Sequence, residues 1–171
     1  SEGNISEATK YYQSFIKHGF KDFRVFSNYG YILVGLGKFK DAELLLRKAI
    51  ELKPDYAEAY LNLGNILQGL GKFKEAAIST HKAIELKPDY AEAYLNLGNI
   101  LKNLGKLEDA KLSYHKAIEL KPDLVDAHLN LGNILQSLSD YKNAELCIRK
   151  TIELKPDYAE AHLNLGNILK N

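Results

Sequence analysis

Residues 48–67 read KAIELKPDYAEAYLNLGNIL, and residues 82–101 read the same twenty letters. The copy lies 34 residues downstream, and Pro54, Pro88, Pro122 and Pro156 keep that interval along the chain. A period of this size predicts a stacked array of small units, each burying its apolar face only against its neighbours. Arrays of this kind mostly present an extended surface to something else, which narrows the function classes at once.

Outward from the shared stretch, apolar residues recur at helical spacing. Tyr60, Leu63 and Leu67 mark one amphipathic helix; Phe73, Ala76, Ala77, Ala83 and Ile84 mark a second. Gly69-Leu70-Gly71 separates them. Gly71, like Gly37 and Gly105, stands where the first helix needs a left-handed C-terminal cap. Pro54 lacks an N–H and disfavours helix at Lys53, so the second helix is expected to end there. Asp55 is then expected to cap the next helix, with Glu58 three residues on as its capping-box partner. Asp89/Glu92, Asp123/Asp126 and Asp157/Glu160 repeat the arrangement.

Composition excludes several partners. The 171 residues are 26% charged with a formal net charge of +1, which gives no footprint for nucleic acid or an anionic membrane. No apolar run approaches the length of a membrane-spanning helix, and no signal peptide is visible. The single cysteine, Cys147, excludes an internal disulfide framework and suits a reducing compartment, so a cytoplasmic setting is expected.

The spacing of large and small residues resembles the tetratricopeptide repeat. Units carry a large residue, a pair ending in glycine and a large residue on the first helix, then small, larger and small residues on the second, then proline. They read Phe26, Tyr29-Gly30, Leu33, Ala42, Leu46, Ala49, Pro54; Tyr60, Leu63-Gly64, Leu67, Ala76, Thr80, Ala83, Pro88; Tyr94, Leu97-Gly98, Leu101, Ala110, Tyr114, Ala117, Pro122; and His128, Leu131-Gly132, Leu135, Ala144, Ile148, Thr151, Pro156. Gly64 and Ala76 are small so that paired helices can approach closely. Thr80 and Thr151 place hydroxyls near the core, and Ser139 replaces the cap glycine, which casts doubt on local stability. The resemblance implies an all-α, right-handed solenoid of antiparallel helix pairs with about ten helices. Its divisions are a second helix of a partial repeat over 1–22, repeats over 23–56, 57–90, 91–124 and 125–158, and a first helix of a partial repeat over 159–171. Both ends fall at the same phase of the repeat, so a piece of a longer array is expected.

In this family the first helices line the concave face. On them, Asn28, Asn62, Asn96, Asn130 and Asn164 share one phase; Asn65, Asn99, Asn133 and Asn167 follow three residues later, on the same face. Leu61, Leu95, Leu129 and Leu163 run beside them. Glu58, Glu92, Asp126 and Glu160 stand at the helix starts, and Gln68, Lys102, Gln136 and Lys170 toward the ends. An amide offers both a donor and an acceptor, so such a column suits the N–H and C=O groups of an extended chain whatever its sequence. The leucines would add apolar contact. The arrangement is similar to the asparagine ladder in the repeats of protein O-linked N-acetylglucosamine transferases. By that resemblance Asn62, Asn96, Asn130, Asn65, Asn99, Asn133, Leu61, Leu95 and Leu129 are the candidate peptide-binding residues. The alternative is that the asparagines bond locally between adjacent helices. The acidic column has a structural alternative too, in helix capping. Family members that clamp acidic chaperone tails use Lys and Arg on this face; here only Arg24 is basic, so that mode is not expected.

Chemistry is not expected. The five histidines lack metal-ligand spacing, and His128 and His162 stand where Tyr60 and Tyr94 stand, which reads as packing. Cys147 has no local base. Gly35-Leu36-Gly37-Lys38 lacks the remaining residues of a phosphate loop. The chain is therefore expected to need no cofactor or metal and to act as a scaffold for a protein or extended peptide, not as an enzyme. Two other readings stand beside this. One is head-to-tail association, with Leu165 and Leu169 of the last helix meeting Ile5, Ala8 and Tyr12 of another copy. The other is a substrate-recruiting accessory domain of a glycosyltransferase-like enzyme.

Overall fold

The computed structural model of the chain describes residues 2–170. Its described residues form ten α-helices and no strand: α1 Glu2–Lys17, α2 Phe23–Gly35, α3 Phe39–Leu52, α4 Ala57–Gly69, α5 Phe73–Leu86, α6 Ala91–Asn103, α7 Leu107–Leu120, α8 Val125–Ser137, α9 Tyr141–Leu154 and α10 Ala159–Ile168. They fall into two compact units, one running to Pro88 and one starting at Asp89. In the first, α2 pairs with α3 and α4 with α5, while α3 packs on α4 and α1 on α2. In the second, α6 pairs with α7 and α8 with α9, while α7 packs on α8 and α9 on α10. Each unit is thus a run of helix pairs, the all-α solenoid class that the repeat predicts.

The pairs close on glycine. Gly98 lies against the ring of the fully buried Tyr114, Gly64 against Thr80, and Gly132 against Ile148, where an added Cβ would stand 2.6 Å from Ile148 Cδ1. Ala42, Ala76, Ala110 and Ala144, fully buried on the second helices, complete the close approach. A larger residue at either phase would force the helices apart, because interiors are packed too densely to absorb it.

The turns after the first helices follow from one backbone requirement. Gly37, Gly71 and Gly105 have φ of 72°, 74° and 73°. In each turn the following N–H reaches five residues back: Lys38 to Leu33 O, Lys72 to Leu67 O and Lys106 to Leu101 O, at 2.8–2.9 Å. The glycine N–H bonds the carbonyl three residues earlier, which makes each a Schellman motif. Ser139 adopts the same left-handed conformation, at φ 62°, and Asp140 still bonds Leu135 O at 2.8 Å. A serine there is strained where glycine is not.

The starts of the first helices differ from the expectation. Asp55 does not cap α4. The N-cap is Tyr56, and no side chain bonds the helix's first N–H groups; Tyr90, Leu124 and Tyr158 hold the same place before α6, α8 and α10. The cause is the preceding turn: Tyr56 N–H donates to Lys53 O at 3.2 Å, and Tyr158 N–H to Lys155 O likewise, so the helix starts one residue later. Asp22, by contrast, caps α2 by accepting Arg24 N–H at 2.8 Å.

The two buried threonines also differ. Thr151 donates to Cys147 O at 3.0 Å, as threonines inside helices commonly do. Thr80 Oγ1 is fully buried and has no hydrogen-bond partner among the described residues.

Candidate functional site

The first helices α4, α6, α8 and α10 carry the two asparagine phases one turn apart, on the same face of each helix. In the unit starting at Asp89 the amides bond one another across neighbouring repeats. Asn130 Nδ2 donates to Asn99 Oδ1 at 3.0 Å, and Asn164 Nδ2 donates to Asn133 Oδ1 at 2.7 Å. Asn99 Oδ1 also accepts the Tyr114 hydroxyl at 2.8 Å. The four asparagines are half-buried, which suits groups that are bonded on one side and reachable on the other. Asn65 and Asn96 have partners as well. Asn62, on α4, is half-buried and makes no side-chain hydrogen bond among the described residues.

The leucine column sits mostly beneath this surface. Leu61 and Leu129 are only 7% and 4% exposed and belong to the core, Leu95 is half-buried, and Leu163 is exposed. The expected apolar contact therefore has accessible surface at Leu95 and Leu163, not at Leu61 or Leu129. At the helix starts, Lys121 Nζ donates to Glu92 Oε1 at 3.0 Å, while Asp126 and Glu160 are exposed. With no side-chain cap from the N-cap residues, these carboxylates favour the helix N-termini through the dipole.

One residue on this face escapes a reading of the asparagine columns. Tyr31, on α2, stands at the phase of Asn65, Asn99 and Asn133 and is 69% exposed. Its signal in the sequence is its phase alone. At the start of the same helix the Arg24 guanidinium bonds Asp22 Oδ2 at 2.6 Å and holds that carboxyl at about 2.

The remaining candidate groups are tied up locally or buried. His128 is buried and His162 exposed; each bonds through Nε2, at 2.8 Å, to the carbonyl of the proline six residues earlier, Pro122 and Pro156. A carbonyl only accepts, so Nε2 carries the proton. Burial pushes the Cys147 thiol up to about 11, away from the thiolate a nucleophile needs. Among the described residues no group of three His, Cys, Asp or Glu side chains could hold a metal ion, and no helix is long and apolar enough to cross a membrane.

Comparison with known proteins follows the same lines. The sequence matches the family described as TPR repeat over residues 30–71 and 98–139, and that described as tetratricopeptide repeat over 57–90, 125–158 and 82–111. Together the matches run from residue 30 to residue 158. No curated protein matches the chain by sequence. Among solved structures, MamA superposes with a TM-score of 0.83 at 25% identity, covering 93% of each chain. A MamA of Desulfovibrio magneticus RS-1, spanning its residues from 41 to the end, gives 0.81 at 25% identity over 92% of this chain and 89% of that one. YrrB, described as a TPR protein with an unusual peptide-binding site, gives 0.76 at 23% identity over 93% of this chain and 82% of its own, a likeness of fold.

Proposed function

The chain belongs to the tetratricopeptide-repeat family, and on that premise we propose that it is a protein-interaction scaffold whose first helices hold an extended peptide through their asparagine columns. The observation that carries this is the pair of bonds Asn130 to Asn99 and Asn164 to Asn133. They fix how each amide points. Asn99 and Asn133 use their oxygens, while Asn130 and Asn164 use one N–H each. An amide has two donor hydrogens and an oxygen with two lone pairs, so bonding within the column leaves capacity for a ligand. Asn130 keeps its oxygen and one N–H, the complement of a peptide group, in an orientation already set before binding. Groups ordered in advance lose less freedom on association. The local-bonding alternative is therefore part of the binding device. YrrB, similar in fold, is described as having an unusual peptide-binding site, which is compatible with this reading.

Asn62, Asn96 and Asn130 are the first contacts in this reading, with Asn65, Asn99 and Asn133 second and Leu95 adding apolar contact. Capture from a random peptide library by the parent, compared with an Asn62/Asn96/Asn130→Ala variant of unchanged helicity, tests it. Capture that falls at least about tenfold in the variant is the expected result. Equal capture by both proteins rejects the asparagines as the site.

A specific observation on α10 favours head-to-tail association as a second reading. Leu163 and Leu169 are 64% and 58% exposed, and Gly166 has nothing within 4 Å of an added Cβ, unlike Gly64, Gly98 and Gly132. On α1, Ile5, Ala8 and Tyr12 occupy the phases of Phe39, Ala42 and Leu46. The α1 helix of a second copy would thus sit on α10 as α9 sits on α8. Sedimentation mass that rises with concentration supports this contact; a strict monomer at millimolar concentration removes it.

A further inference from the structure

We propose that Tyr31 and Asn62 form a separate subsite on the unit ending at Pro88, one that grips a peptide group next to an aromatic side chain. The inference rests on the asparagine columns being a peptide site. It starts from a regularity and the place where it breaks. Asn130 donates to the asparagine 31 residues before it, and so does Asn164. Counting 31 residues back from Asn62 reaches Tyr31. Their helices meet, α2 against α4, as α6 meets α8 and α8 meets α10. A phenol ring thus stands where the column elsewhere has an amide, and Asn62 makes no side-chain hydrogen bond among the described residues.

The consequence for binding is direct. Asn62 retains two donor hydrogens and its oxygen, and being half-buried it offers them from a site with reduced competition from water. A peptide N–H and C=O match it. Beside it, the Tyr31 ring is 69% exposed at a phase that is asparagine in all four later first helices. An isolated exposed ring is ordinary. A ring one rung from an unpaired amide gives an extended chain both things it presents, a polar main chain and a side chain. Tyrosine supplies large, rigid contact area and stacks best in offset or edge geometry on another ring. Asn28, exposed one turn before Tyr31, adds a further amide.

Charge points away from an acidic ligand. The nearest cation on α2, Arg24, is already paired with Asp22 at 2.6 Å, and Glu58 lies one turn before Asn62 on α4. The side chain that fits is therefore aromatic and uncharged.

The test uses the parent chain and the peptides Ac-Ser-Gly-Xaa-Gly-Ser-NH2, with Xaa phenylalanine or glycine, followed through the asparagine side-chain amide resonances. In the parent, the phenylalanine peptide is expected to bind about fivefold more tightly than the glycine peptide and to move the Asn62 signals. Tyr31→Phe keeps this preference. Tyr31→Asn abolishes it and shifts the free-state Asn62 signals toward those of Asn130, because the missing rung is restored. Tyr31 is exposed, so neither change threatens the fold. Equal affinity of both peptides for the parent, with Asn99 and Asn130 signals moving, overturns the subsite and leaves the column as a peptide site. Movement of no asparagine signal by either peptide overturns both.

Discussion

The Tyr114 hydroxyl donates to Asn99 Oδ1 across 2.8 Å, tying the buried face of α7 to the asparagine column on α6. The same oxygen takes the Asn130 amide at 3.0 Å, so one acceptor joins three helices. Burial raises the Tyr114 phenol far above its ordinary value, keeping it protonated and able to donate. Tyr114→Phe removes the donor without changing the ring. It should lower stability by about 1 kcal/mol, seen as an earlier urea midpoint with unchanged slope. An unmoved midpoint would show that the bond adds nothing net.

Helix closure on glycine gives a matched pair of tests. Gly98→Ala places a methyl group inside the Tyr114 ring and should cost roughly 1–3 kcal/mol. Gly166→Ala meets nothing within 4 Å and should be neutral or stabilising by up to about 1 kcal/mol, since alanine favours helix over glycine. Thermal unfolding of both variants decides the matter. Equal effects would mean that close packing is not what holds glycine at this phase.

Thr80 predicts a gain. Its hydroxyl is fully buried without a partner, so replacing it by a methyl group of similar size removes a desolvated polar atom. Thr80→Val should raise stability by about 1 kcal/mol in denaturant unfolding. A loss of that size would reveal a bonded water at the hydroxyl.

Asp22 carries a pH signature. Hydrogen bonds from the Arg24 side chain, then from its backbone N–H, hold the carboxyl at about 2, below its ordinary 3.8. A lowered carboxyl favours the fold above the unfolded value and loses that contribution as pH falls through the folded one. The stabilising effect is thus present above about pH 4 and disappears toward pH 2. Carboxyl carbon titration by NMR should give a midpoint near 2 in the parent, and one nearer 3.8 in Arg24→Ala. A parent midpoint at 3.8 would mean that the pair does not form in solution.

The features legible in the sequence are those decided within one turn of chain. Pro54 ends α3 because it has no N–H to give, and Gly37, Gly71 and Gly105 mark turns because the backbone there needs positive φ. Both are properties of single letters. Asp55 shows where local reasoning fails: two neighbouring rules compete, and the Tyr56 to Lys53 turn bond moves the helix start beyond the reach of the aspartate. The asparagine phases are visible as letters, but the bond from Asn130 to Asn99 depends on how two helices meet. The split of the leucine column is likewise tertiary. Leu61 and Leu163 share a phase, yet the first is buried and the second exposed.

The bond reaching 31 residues back also bears on how such a chain grows. A segment of 34 residues copied in tandem brings one donor amide and one acceptor amide in register. At the new seam the old donor finds the new acceptor, and no amide is left widowed. Unequal recombination can therefore lengthen or shorten the array without a cost at the join. The identity of residues 48–67 and 82–101 is the trace such an exchange would leave. Tyr31 does not propagate in this way: each copy of its unit would orphan another asparagine, which ties that ring to a single position in the array.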